Sequence, residues 1–253
     1  MKTIGTRAMQ QARRRHLILA NGTGYFKGEY LQESPTDAGA PHAFLIEQDA
    51  NTTILPHFHR QNQFQIITGG AGMLGRHAVQ PLLVHYAGAY TGYGPIVSGA
   101  TGLHYLTLRP RYDAGAQFMP EARQDMVRGP KKHYSSAPLM QPAADQLRAL
   151  TDVQREALLP LEDGGLAVSL YRLPPHASAQ ALDPATGAGQ YALVAGGALH
   201  HEGQSLEDWE SIYLTPDEAP LMLTAGEQGA EVLLLQFPPL AEAYRVSADV
   251  AAA

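Results

Sequence analysis

Short apolar runs set between Gly, Pro and Asn/Asp clusters dominate this chain. In the first half they are His16–Ala20, Phe44–Ile46, Ile54–Leu55, Gln63–Thr68, Leu82–Tyr86 and Leu103–Leu108. In the second half they are Leu166–Leu173, Tyr191–Ala195, Ser211–Leu214, Leu221–Thr224 and Val232–Phe237. Runs of this length between turn signals predict strands, and strands so closely spaced predict an all-β sandwich, barrel or jelly roll. Alternation along Gln63–Thr68 puts Gln65 and Ile67 on one face and Phe64 and Ile66 on the other. One stretch departs from this pattern. Over Pro142–Leu158, the residues Ala143, Leu147, Leu150, Val153 and Leu158 fall roughly on one stripe and predict a helix.

The two halves also resemble each other. QFQIITGG (Gln63–Gly70) matches QYALVAGG (Gln190–Gly197), and GLHYLTLRP (Gly102–Pro110) matches GAEVLLLQF (Gly229–Phe237), both at an offset of 127 residues. Two matches at one offset point to a duplicated domain, and the repeat is too long for a solenoid unit. The expected organisation is an N-terminal arm over 1–15 that carries the Arg13–Arg15 run, then a first barrel over 16–135. A linker with the helix covers 136–160, a second barrel 161–240, and a C-terminal tail 241–253.

Composition narrows the function classes. With 18 Lys+Arg against 24 Asp+Glu, the formal charge is −6, so there is no basic excess for nucleic acid. The chain has no cysteine, which excludes disulfides, thiolate nucleophiles and Cys-type metal sites. The apolar run after the N-terminal arginines is too short for a signal-peptide core, and no run reaches membrane-spanning length. A cytoplasmic protein with no membrane partner is expected. The nucleophile-elbow, P-loop and HExxH motifs are absent.

The segment Ile54-Leu55-Pro56-His57-Phe58-His59-Arg60-Gln61-Asn62-Gln63 carries the candidate chemistry. Strand residues two apart share a face, so His57 and His59 would project the same way, roughly 6–7 Å apart at Cβ. Two imidazoles so placed can converge on one ion. Gln63 opens the next strand, and an antiparallel return would set it beside them.

HxHxxxQ, followed by an apolar strand and by Gly70, resembles the first motif of the cupin superfamily. With the duplication, the whole chain resembles a bicupin. The resemblance implies two tandem double-stranded β-helix jelly rolls and one divalent transition metal, Fe(II), Mn(II), Ni(II) or Zn(II), on His57, His59 and Gln63. It also implies a small-molecule substrate and a homodimer. Two departures stand out. Gln63 replaces the usual Glu, and the second-motif region Tyr86–Gly99 lacks a histidine. Tyr90 and Tyr93 lie nearest the missing position as acid–base candidates. His85 and His104 are the other candidates for a third nitrogen or, with Gln65, for substrate contacts. In the second half His57 maps to Pro184, His59 to Thr186 and Gln63 to Gln190, so that half would keep only the fold. The first expectation is a dioxygenase-type oxidoreductase. A metal-assisted lyase or isomerase comes next, and a non-catalytic small-ligand-binding cupin after it.

Overall fold

The computed structural model describes residues 1–31, 37 and 39–245. By their contacts these form two units, one of residues 8–139 with the segment from Leu240, the other of Met1–Arg7 with Met140–Pro239.

In the first unit the antiparallel order runs His133–Ser135, Val84–Ala87, Gln63–Leu74, Ile96–Arg109, His42–Gln48, Gly24–Leu31, Arg15–Ile18. The core lies inside the barrel, where Phe44, Ile46, Ile67, Leu103 and Tyr105 pack together. Phe64 and Ile66, on the other face of their strand, are also fully buried, so both faces of that strand are covered. The second unit runs Lys2–Gly5, Ser211–Leu214, Gln190–His201, Met222–Gln236, Ala167–Leu173, Gln154–Leu159. Its core cluster is apolar, with Leu173, Ala192, Val194, Ile212, Val232 and Leu234 packed together, and Gln190 and Gln236 are buried as well.

The duplication is visible in the strand register. Leu108 faces Phe64 and Leu106 faces Ile66 in the first unit. In the second, Leu235 faces Tyr191 and Leu233 faces Leu193, each displaced by the same 127 residues. The bulges repeat as well. Gly70 and Gly102 have φ of 70° and 76°, and their counterparts Gly197 and Gly229 have 73° and 80°. A Cβ at Gly70 would collide with the Gly102 carbonyl, and one at Gly197 with that of Gly229, so side chain and backbone conformation both demand glycine there.

Three expectations are corrected. The helix is confined to Ala144–Arg148, and Gln154–Leu159 is a strand paired with Ala167–Leu173. Of the apolar stripe only Leu147 is deeply buried, while Val153 is exposed. Thr151, Asp152 and Val153 are poor helix formers, and the backbone beyond them gains a sheet edge instead. Residues 1–15 are not a free arm: Lys2–Gly5 pairs with Ser211–Leu214, and Arg14 and Arg15 meet Glu47 at 2.6 Å and Glu29 at 3.0 Å. The beginning of the expected tail is packed, with Tyr244 buried against Tyr90. Residues 246–253 of that tail lie outside the described residues. No helix among the described residues is long and apolar enough to cross a membrane.

Candidate functional site

His57 and Phe58 form a short strand paired with Gln117–Phe118, and His57 also bridges to Tyr93. His57 therefore stands on its own ribbon, with His59 just past its end, and neither lies on a hairpin with the Gln63 strand. Their rings nevertheless face one another, with centroids 5.2 Å apart and planes at 85°. Both line a cavity of about 200 Å³ in the first barrel. Its apolar wall includes Phe44, Ile46, Ile54, Tyr105 and Phe118, and its polar wall includes Gln65, Tyr93, Arg109 and Asp113.

The polar groups form a directional chain. Arg109 sends Nε and Nη2 to Gln63 Oε1, at 3.1 and 3.0 Å. Guanidinium only donates, so the amide oxygen of Gln63 must face it and the amide NH2 must face away. That NH2 donates to the Tyr93 hydroxyl oxygen at 2.6 Å. His57 Nδ1 lies 2.8 Å from the Leu55 carbonyl, which only accepts, so Nδ1 carries the hydrogen and Nε2 is bare. Tyr93 then donates its proton to His57 Nε2 at 2.8 Å. A second branch holds His59. Its Nδ1 donates to Asp113 at 2.9 Å, and Arg109 Nη2 lies 3.2 Å from its Nε2. Asp113 also accepts from the backbone N–H groups of Arg60 and Gly115, at 2.8 and 2.9 Å.

Electrostatics follow from this burial. His57 is pushed down to about 3, chiefly by burial and then by neighbouring His59, so the ring is neutral at ordinary pH. Burial also lowers His59. Tyr93 is raised by burial, against the pull of the Arg109 charge, and stays a phenol. Asp113 is held below the usual carboxylate range by Arg109 and His59, against its own burial.

His57, His59 and Gln63 are thus brought together, but around a guanidinium and a phenol. Arg109, buried and with Asp113 as its counter-ion at 3.5 Å, sits between Gln63 Oε1 and His59, where an ion bound by both would have to lie. It cannot shed its charge. Among the described residues no group of three or more His, Cys, Asp or Glu side chains gathers to hold a metal. The donor set as arranged does not fit a divalent ion.

The remaining predicted residues separate. Tyr93 and Gln65 line the cavity. Tyr90 lies away from it, packed with Phe58 and Tyr244. His85 borders a separate small void and bonds Ser135 at 2.9 Å. His104 lies along Gly69, outside the cavity lining. The sequence reading passed over Arg109, Asp113, His42 and Lys27, all of which line the cavity. Strand alternation was the available signal: His42-Phe44-Ile46 and Tyr105-Thr107-Arg109 are inward sets, each ending in a polar residue.

Burial lowers His42 to about 2 and His85 to about 3, from an ordinary value of 6.5. Between those values the unfolded chain binds a proton at each of these histidines that the folded chain does not, as it does at His57, so stability falls as pH drops below 6.5. At about 1.4 kcal/mol per pH unit for each group, His42 and His85 alone contribute a slope approaching roughly 3 kcal/mol per unit. Urea unfolding at a series of pH values should show this loss. A flat profile between about pH 7 and about pH 5 would refute it.

Neither a protein-family model nor a curated protein matches the sequence. Solved structures do match by shape. A candidate dioxygenase from Nostoc punctiforme aligns with TM-score 0.57 and 13% identity over 95% of this chain and 80% of that one. Bacterial pirin YhhW from Escherichia coli, in complex with nickel(II), gives 0.53 and 15% over 94% and 100%. Bacillus subtilis oxalate decarboxylase OxdC gives 0.52 and 10% over 95% and 78%. Identities this low speak for the fold alone. The chain has the cupin fold, built as two tandem jelly rolls. In architecture it is a bicupin.

Proposed function

We propose that the first barrel is the active site of a lyase or isomerase that moves a proton on a small organic molecule. The observation behind this reading is the Tyr93 hydroxyl, held between Gln63 and the bare Nε2 of His57 on the cavity wall. As an acidic C–H proton of the substrate passes to the Tyr93 oxygen, the tyrosine's own proton passes to His57 Nε2, and the reverse path returns it at another position. The charge developing on the substrate raises the proton affinity of the neighbouring imidazole. Arg109 supplies a fixed positive charge to that anion, pre-oriented by Gln63 and Asp113. His59 positions Arg109 and Asp113 and does not itself transfer the proton.

A dioxygenase is the second reading, favoured by the meeting of His57, His59 and Gln63 and by the nickel and manganese centres of similarly folded proteins. It requires Arg109 to leave the site first. The test is incubation of chelator-treated protein in D2O under argon with a panel of small carbonyl compounds and organic acids. NMR should show deuterium entering the carbon skeleton of a panel member. Turnover only with added Fe(II) and dioxygen would overturn the proposal in favour of the oxygenase. Binding with neither exchange nor turnover would overturn it in favour of a ligand-binding module.

A further inference from the structure

Phe58 stands between His57 and His59 in the chain, and its ring lies on the other side of their ribbon. The two imidazoles line the cavity, whereas the phenyl ring is fully buried outside that lining, clustered with Ala89, Tyr90 and Tyr244. Phe58 and Tyr90 stack at 5.7 Å between centroids and 30° between planes, and Tyr90 meets Tyr244 at 4.8 Å. Tyr90 is also tied to the ribbon through its backbone, where its N–H donates to the His59 carbonyl at 2.6 Å. It makes this bond from the left-handed region, at φ 55°. A tyrosine held there costs about 1–3 kcal/mol and stays only where its surroundings fix it. Phe58 and Tyr244 supply the aromatic part of those surroundings.

Tyr244 lies in the segment from Leu240, which follows the second barrel in the chain yet belongs to the first unit. Its ring is anchored at the hydroxyl, which donates to the Pro130 carbonyl at 2.8 Å and accepts from Lys131 Nζ at 3.1 Å. The same ammonium lies 5.0 Å from the ring centroid. Gly129 leaves the ring its place, since a Cβ there would come within 2.5 Å of it. Tyr244, Lys131 and Gly129 all stand outside the cavity lining and outside the proton-relay chain. We infer that Tyr244 is a positioning residue, which acts through Tyr90 and Phe58 to hold the ribbon where His57 Nε2 meets the Tyr93 hydroxyl. A misplacement of about 1 Å at reacting groups can cost 10²-fold in rate, so a ring this far from the cavity has leverage on it. The site in the first barrel is then complete only when the chain returns from the second. The inference rests on reading this cavity as the active site and adds what aims its histidines.

The test compares Tyr244→Ala with Tyr244→Phe in the full chain. In the alanine variant, folded as judged by circular dichroism, the imidazole nitrogen signals of His57 and His59 in NMR should move or broaden, while those of His16 and His104 stay. Isotope exchange should fall by about 10–100-fold, with KM changed by less than about threefold. Tyr244→Phe keeps the ring against Tyr90 and should restore both the signals and most of the exchange. Where the alanine variant does not fold, Tyr244→Leu keeps the apolar bulk without the flat ring and gives the same comparison. Unmoved His57 and His59 signals in the variant lacking the ring would overturn the inference. Equal shifts at His16 and His104 would overturn it too, since they mean a general loosening of the barrel, as would a phenylalanine variant no better than alanine. Absence of isotope exchange before any substitution would sink the proton-relay reading instead, and the NMR comparison would still decide the role of Tyr244.

Discussion

Replacing Arg109 with methionine destabilises the protein by about 3–5 kcal/mol, the usual range for stranding one partner of a buried ion pair. Asp113, whose side chain is fully buried, then keeps three hydrogen bonds but no permanent counter-charge. Gln63 Oε1 loses both of its guanidinium donors at the same time. Urea titration of the variant measures the loss. The double variant Arg109→Met/Asp113→Asn should lose less than the two single changes together, because one partner's penalty exists only while the other remains. The same variant has a second signature. With the guanidinium gone, His57, His59 and Gln63 face an open point, so the variant should take up Ni(II) while the unaltered protein holds less than about a tenth of an ion per chain. A stoichiometric ion in the unaltered protein would refute the assignment of Arg109 as the resident cation.

Tyr93→Phe should lower turnover by about 10²–10⁴ with little change in KM, as expected when a positioned proton donor is removed without loss of the cavity wall. The ring still packs, but His57 Nε2 and the Gln63 amide lose their shared hydroxyl. The stability cost is therefore about 1–3 kcal/mol, well short of unfolding. The activity loss should persist under conditions where the variant is fully folded by circular dichroism. A variant that keeps more than about a tenth of the activity would remove Tyr93 from the chemistry.

Much of the architecture was legible because β structure writes itself locally. Alternation gave the strands, and the paired Gly70/Gly197 and Gly102/Gly229 gave the duplication. The helix over Pro142–Leu158 was misread because an apolar stripe does not reveal that a sheet edge nearby competes for the same backbone. For the site, the HxHxxxQ spacing located the right cavity but not its centre. Arg109 and Asp113 reach it from the end of a strand and the loop beyond, about fifty residues along the chain from His59, and the HxHxxxQ segment carries no local mark of that return. Tyr93 and Tyr90 looked equivalent in a Gly-rich segment. Only the fold sends one ring to His57 and the other to Phe58.

The repeated register also gives the molecule an internal control. At the positions where the first barrel places Gln65, Tyr105, Thr107 and Arg109, the second places Ala192, Val232, Leu234 and Gln236. The same scaffold closes around three aliphatic side chains and the buried amide of Gln236, so none of the four first-barrel side chains is itself a condition of folding this topology, although the Arg109 position stays polar. They are additions to a shared frame, and the second half shows which residues the frame accepts in their place.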